Sequence, residues 1–330
     1  MKEFTYERAD DVSGALALLD ADPDARFLGG GTNLVDLMKT GVERPGRLVD
    51  VRELPLDRVE STEDGGLRIG ATVTNSDLAA HPEVRRAYPA LTQAVLAGAS
   101  GQLRNMATVG GNLLQRTRCG YFADVTKPCN KRVPGSGCPA IQGEHHNHAI
   151  LGASDHCVAT HPSDMGVALT AFDAVVHYET ADGTGQLPLT EFYLPVGDTP
   201  HRETALPPGA LITGVTLPPA PVAANSRYRK VRERASYAFA IGSIAAALDV
   251  QDGVVRDVRL AFGAVASRPW RAHAAEQALI GGPVDAEAFA AAADAELAAA
   301  RPLPHNGYKV TLMRNLVVAV LSELAEEAGR

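Results

Sequence analysis

An α+β architecture in two domains follows from three features of the chain. It has 330 residues, where a single domain commonly holds roughly 100–200. Its earlier part mixes short helical and strand patterns, whereas its later part reads as strands followed by helices, the order expected of an α+β unit. Between them stands Pro218-Pro219-Ala220-Pro221, a cluster that continues neither a helix nor a ladder and so marks a boundary.

The elements come in order. The run 11–19 (DVSGALALL) spaces its apolar residues as a short helix does. Residues 25–28 (ARFL) predict a strand that ends in Gly29-Gly30-Gly31-Thr32-Asn33, and 34–38 resumes a helical pattern. Strands are expected at 48–51 and 68–73, the second after the turn signal Asp64-Gly65-Gly66. Helical spacing returns at 75–80 and 90–97. From 119 to 162 periodicity disappears into Gly, Pro, His, Asn and Ser. A loop of that length inside a domain is functional, or is held by something other than a core. A helix over 164–174, a strand at 175–178 and a strand at 211–217 follow. Past the prolines come three short antiparallel strands, at 226–231, 244–250 and 255–262. An alanine-rich helix over 286–300 and a more apolar one over 310–325 complete the chain.

Composition narrows the function. Hydrophobic residues make up 45% and charged residues 21%, the balance of an ordinary globular protein. The net charge is −8, and without a basic stripe to neutralise a phosphate backbone the composition argues against a nucleic-acid partner. The opening residues MKEFTYERADD lack the apolar centre of a signal peptide. The apolar run 316–321 is far too short to span a bilayer. The expectation is a cytoplasmic protein without membrane insertion; periplasmic residence by co-export with a signal-bearing partner is the alternative.

Two glycine turns are candidate ligand sites. In Gly29-Gly30-Gly31-Thr32-Asn33, backbone N–H groups can converge without Cβ interference at a helix start, a concavity suited to phosphate. No Lys-Ser/Thr follows, and the spacing misses G-x-G-x-x-G, so neither the Mg-nucleotide loop nor the dinucleotide fingerprint applies. A flexible turn is the plain alternative. Gly110-Gly111-Asn112 repeats the theme, with Thr108 and Asn112 offering polar groups.

All four cysteines fall between 119 and 157, as Cys119-x9-Cys129-x8-Cys138-x18-Cys157. No C-x2-C knuckle of a structural zinc site is present. Disulfides fit poorly with a cytoplasmic origin. A four-thiolate iron–sulfur cluster fits the count, and its size tolerates ligands from widely spaced loop positions. Zinc and disulfides stay open on spacing alone. His145, His146, His148, His156 and His161 lie in or near the same loop, more simply as hydrogen-bonding groups than as ligands.

Together these residues resemble a known family. Gly29-Gly30-Gly31-Thr32-Asn33-Leu34, Ile69-Gly70-Ala71, Leu103-Arg104-Asn105-Met106-Ala107-Thr108-Val109-Gly110-Gly111-Asn112-Leu113 and Pro162-Ser163-Asp164 look like the FAD-binding medium subunit of the xanthine oxidase (molybdenum hydroxylase) family. The likeness continues through Tyr228-Arg229-Lys230-Val231-Arg232-Glu233-Arg234-Ala235-Ser236-Tyr237-Ala238-Phe239-Ala240 and covers essentially the whole chain. Most such subunits join the Gly-Gly-Asn turn to the Ser-Asp turn by a short loop; here a cysteine-bearing insertion separates Asn112 from Asp164. That insertion resembles the 4Fe-4S-containing flavoprotein subunits of bacterial periplasmic aldehyde oxidoreductase and of 4-hydroxybenzoyl-CoA reductase, and looks closer to the first.

The resemblance implies a two-lobed FAD-binding domain of the vanillyl-alcohol-oxidase type over 1–220, with lobes of about 1–55 and 56–220 and an iron–sulfur insertion at 115–162. A C-terminal flavoprotein domain over 221–330, α+β with a three-stranded antiparallel sheet, would follow. Arg26, Phe27, Leu28, Gly29, Gly30, Gly31, Thr32, Asn33 and Leu34 would hold the FAD pyrophosphate. Thr108, Gly111, Asn112, Asp164, Ile212 and Lys230 would lie along the cofactor. Asp164 could instead cap a helix, and Lys230 could be a plain strand-edge lysine. Cys119, Cys129, Cys138 and Cys157 would ligate the 4Fe-4S cluster.

The implied function is electron transfer within an aldehyde oxidoreductase, with no catalytic residue on this chain. A large molybdenum-cofactor subunit and a small 2Fe-2S subunit would be partners in a heterotrimer or its multimer, delivering electrons to an external acceptor. The rivals are a 4-hydroxybenzoyl-CoA reductase subunit and a zinc-stabilised binding module without redox activity.

Overall fold

The helix expected over 11–19 runs Val12–Asp20, with Asp11 outside it as the cap: its carboxylate accepts the Gly14 N–H at 2.7 Å. In the computed structural model, which describes residues 1–328, this helix packs on a parallel three-stranded sheet. Its order is Thr5–Arg8, Arg47–Asp50, Ala25–Leu28. Ala15, Leu16, Ala25, Val49 and Val51 form its small core. The strand Thr5–Arg8 is absent from the sequence expectation because it is an exposed, charged edge with no apolar alternation.

A second, antiparallel sheet runs Val59–Ser61, Leu67–Gly70, Leu211–Leu217, Val175–Thr180, Gly183–Pro188. The last strand, GTGQLP, has the composition of a turn; its hairpin with Val175–Thr180 makes it a strand regardless. Helices Asn75–Ala80, Pro89–Ala97 and Asp164–Ala171 pack here with the largest core, around Leu78, Leu91, Phe172 and Val215.

The C-terminal sheet is antiparallel, in the order Trp270–Arg271, Val254–Gly263, Gly242–Gln251, Ser226–Val231. Three strands are those expected; the fourth has two residues, too few to leave any periodic signal, and corrects the three-stranded expectation. Gly242–Gln251 is apolar on both faces. Ala245 and Ala247 join the core of the earlier sheet, while Ile244, Ala246 and Leu248 face a separate core with helix Tyr308–Ala328. Small alanines let helices approach from both sides. No helix among the described residues is long and apolar enough to cross a membrane.

Helix Tyr308–Ala328 carries a fully buried lysine. Lys309 Nζ donates to the carbonyls of Asn147 at 3.0 Å and Ala264 at 2.8 Å, tying the long loop to the C-terminal sheet. Burial pushes its ammonium down to about 7. Between that pH and the unfolded value near ~10.4, the unfolded chain holds a proton that the folded chain has lost. Stability from this group therefore rises with pH across the window, by about 1.4 kcal/mol per pH unit. Lys309→Met removes the slope. Melting temperatures from pH 6 to 10 should show wild type gaining on the variant above pH 7; a constant difference would refute the assignment.

Candidate functional site

The two glycine turns meet. Gly29–Asn33 joins the strand Ala25–Leu28 to the helix Leu34–Thr40. At Gly30 the backbone lies directly on the chain at Met106: a Cβ there would stand 1.8 Å from the Met106 carbonyl oxygen and 2.9 Å from Ala107 Cα. Only glycine permits that approach. The facing segment is braced by the Ala107 carbonyl, which accepts the Asn75 N–H at 2.8 Å. Thr108 caps the short turn of helix Val109–Leu113 by accepting the Gly111 N–H at 3.2 Å. Asn33 Oδ1 accepts the Arg116 N–H at 2.9 Å, while Asn33 Nδ2 is buried without a partner.

A groove crosses this junction as two cavities of about 350 and 510 Å³. Both are walled by Thr32, Asn33 and Gly111. The first adds Arg26, Phe27, Gly29, Gly30, Gly31, Leu34, Thr108 and Ile212. The second adds Asn112, Asp164 and Lys230. Leu28 lines neither cavity, and its carbonyl accepts the Val51 N–H at 3.1 Å.

Asp164 and Lys230 come together although far apart in sequence. Lys230 Nζ stands 2.8 Å from Asp164 Oδ2, with the lysine side chain only 3% exposed. Tyr228 donates to Asp164 Oδ1 at 2.5 Å, and burial together with that carboxylate pushes the Tyr228 phenol well up. Lys230 is therefore no solvent-facing edge lysine. Ser163, not Asp164, caps the helix, accepting the Gly166 N–H at 2.8 Å; Asp164 is its first residue. The Ser163 hydroxyl also donates to Asn112 Oδ1 at 2.6 Å, linking the second glycine turn to this cluster.

Sequence reasoning missed the cationic wall. Arg116 lines the first cavity between Glu43 at 2.6 Å and Glu203 at 2.8 Å. Arg118 lines the second and stacks on Phe239, 4.7 Å from its centroid. Neither arginine lies in a periodic or glycine-rich motif, so only their position just before Cys119 could have pointed to them.

The loop beyond Arg118 folds with little regular structure, around one turn of helix at Gly120–Ala123 and another at Pro139–Ile141. Polar side chains brace it beside a small apolar cluster of Cys157, Ala159 and Val196. Asn130 accepts the Gly137 N–H at 2.7 Å and donates to the His156 carbonyl at 2.9 Å. Cys129 N–H donates to Ser136 Oγ at 3.0 Å. Gly137 takes φ +104°, a left-handed conformation that favours glycine. Arg132 gathers the carbonyls of Tyr121, Asp124 and Val125.

This scaffold brings Cys119, Cys129, Cys138 and Cys157 to the wall of one small cavity, with all four thiols free. A hydrogen bond from Cys157 lowers the Cys138 thiol to about 6, and the same contact with burial raises Cys157. Burial raises Cys119. Among the described residues no three His, Cys, Asp or Glu side chains form a group that could hold a single metal ion.

The histidines are mostly structural. His145 accepts the His305 N–H at 3.1 Å through Nε2 and stacks on the His305 ring. His146 stacks on Tyr308. His161 packs on Tyr193, its imidazole pushed down to about 4 by burial. His148 differs: its Nε2 lies 3.2 Å from Cys119 Sγ.

Comparison with known proteins bears on this geometry. Residues 2–220 match the family described as FAD binding domain in molybdopterin dehydrogenase, and 226–324 match the CO dehydrogenase flavoprotein C-terminal domain. The aldehyde oxidoreductase FAD-binding subunit PaoB of Escherichia coli is 52% identical over 99% of this chain and 100% of its own length. The glyceraldehyde dehydrogenase medium chain of Sulfolobus acidocaldarius is 26% identical over 84% and 82%. Carbon monoxide dehydrogenase from Hydrogenophaga pseudoflava superposes with a TM-score of 0.76 at 25% identity, over 98% of each chain. Quinoline 2-oxidoreductase from Pseudomonas putida reaches 0.77 at 23% over 99% of each, a likeness of fold alone.

Proposed function

The chain belongs to the FAD-binding medium subunits of the molybdenum hydroxylase (xanthine oxidase) family, and from that premise we propose that it is the FAD- and 4Fe-4S-containing electron-transfer subunit of an aldehyde oxidoreductase. The observation that carries the reading beyond the family is the gathering of four free cysteines at one cavity. It begins one residue past Arg118, which walls the groove. Four thiols supply a complete ligand set for a cubane cluster. A cluster is wider than one ion, so the absence of a single-ion group among the described residues does not conflict with it. The 52% identity to a subunit named for an aldehyde oxidoreductase favours an aldehyde over a coenzyme A thioester as the substrate of the complex.

We assign 1–220 to a two-lobed FAD-binding domain of the vanillyl-alcohol-oxidase type, with lobes of about 1–55 and 56–220 and the cluster insertion at 115–162. Residues 221–330 form the C-terminal flavoprotein domain. Backbone N–H groups of Gly29, Gly30 and Gly31, with Thr32, would hold the pyrophosphate. The orphaned Asn33 Nδ2, at the wall both cavities share, suits an oxygen-rich ligand, since an unmet buried donor costs about 1–3 kcal/mol. Arg26, Phe27, Leu34, Thr108 and Ile212 would hold FAD in the first cavity, and Gly111, Asn112, Asp164 and Lys230 would hold it in the second. When bound, FAD stores electron pairs that iron–sulfur centres deliver singly, the reason for joining the two. Lys230 and Tyr228 keep Asp164 fixed at the groove wall.

The partners are a large molybdenum-cofactor subunit and a small 2Fe-2S subunit, with an external electron acceptor. Anaerobic purification of the complex should give about one FAD and about four irons on this chain, a flavin spectrum over a broad iron–sulfur band, and oxidation of aldehydes. A colourless chain holding zinc would refute the reading, and turnover of the thioester alone would transfer it to the reductase.

A further inference from the structure

We propose that His148 donates a hydrogen bond from Nε2–H to the Cys119 sulfur and thereby raises the reduction potential of the iron–sulfur centre, an inference that rests on the cluster assigned to this loop. The contact is 3.2 Å long. A metal-bound sulfur is a thiolate and can only accept, so the proton must sit on Nε2. That choice leaves Nδ1 as a bare acceptor, and Nδ1 is buried with no partner. An unmade buried hydrogen bond is a standing cost, and a leucine would fill similar space without it. The ring makes no other polar contact among the described residues. Its polarity serves the sulfur alone.

The backbone that carries the ring is held both from within the loop and from outside it. The His148 N–H donates to the His145 carbonyl at 3.0 Å, and the His148 carbonyl accepts from Asn306 Nδ2 at 3.2 Å. Asn306 also holds the Ala149 carbonyl, at 3.2 Å. Lys309 fixes the carbonyl of the preceding Asn147. The helix Tyr308–Ala328 and the turn before it thus aim an imidazole at a ligand sulfur nearly thirty positions away in sequence. A donor to a ligand sulfur stabilises the extra negative charge of the reduced cluster, and hydrogen bonds to sulfur are a recognised determinant of cluster potential. His148 is a positioning residue of the redox centre.

The test is an EPR-monitored redox titration of the purified complex carrying wild type, His148→Leu or His148→Gln, with iron and FAD counted on each. The expected result is a cluster midpoint shifted to more negative potential in His148→Leu. His148→Gln, which keeps an N–H, should stay near wild type, with FAD content unchanged in all three. Loss of iron from His148→Leu but not from His148→Gln would assign the N–H to holding the cluster and overturn its assignment to the potential. Equal potentials in all three proteins, or equal damage in both variants, would overturn it, because the ring's volume and not its N–H would then matter. A wild-type chain without iron would sink the cluster assignment itself, an outcome distinguishable from an iron-loaded protein that ignores the substitution.

Discussion

Gly30→Ala should sharply weaken flavin binding. The added methyl would stand 1.8 Å from the Met106 carbonyl oxygen and 2.4 Å from its carbon. Both are backbone atoms, so no side-chain rotation relieves the clash. Overpacking typically costs ~1–3 kcal/mol, and a collision of main chain with main chain belongs at or above the upper end. The strain falls where the two glycine turns define the waist of the groove, so FAD affinity should drop by more than about tenfold, the equivalent of ~1.4 kcal/mol. Gly29→Ala is milder: its methyl would meet Thr108 Oγ1, a rotatable side-chain atom, at 2.8 Å. Gly101→Ala is the control, since nothing lies within 4 Å of its added carbon and alanine is the better helix former. Flavin per chain and the urea midpoint check all three. A fully flavinated Gly30→Ala with an unchanged midpoint would refute the junction as the cofactor waist.

Cys129→Ser should empty the cluster site while leaving flavin in place. Serine keeps the shape but gives up the thiolate that iron requires, and iron should fall from about four per chain to fewer than about one. The flavin groove has independent support, in the Asp164–Lys230 pair and the Ser163–Asn112 bond. More than half of the FAD should therefore remain. Cys129 is the ligand of choice because it is only half-buried, whereas Cys157 is 5% exposed and packs with Ala159 and Val196. Flavin and iron lost in equal measure would mean that the cluster is needed to fold the chain. Iron retained in full would remove Cys129 from the ligand set.

Local chemistry made several elements legible. The helix Val12–Asp20, one residue later than its expected span, the strand Leu211–Leu217 and the strand Ser226–Val231 stand where short-range pattern puts them. Elements whose existence depends on a partner were not legible. Gly183–Pro188 has no strand propensity and is held by its hairpin, and Trp270–Arg271 exists only as the edge of Val254–Gly263. The site divides in the same way. Gly29 to Asn33 could be read as a candidate ligand turn from glycine's lack of Cβ, but the contact of Gly30 with the backbone at Met106 could not. For Lys230 the sequence leaves a plain edge lysine open beside a place along the cofactor, because burial is invisible until Asp164 and Tyr228 are brought to it.

By itself, the sequence determined the residue chemistry available here: two glycine turns, four clustered cysteines, a carboxylate near a helix start, and the strands and helices that carry them. Only the tertiary structure decided that Gly30 rests on Met106, that the four sulfurs border one cavity, and that His148 reaches Cys119. The physical reason is range. Capping, periodicity and glycine conformation act over a few residues, while a backbone contact across seventy-six positions or a shared sulfur cavity is set by how separate cores and side-chain braces close against one another.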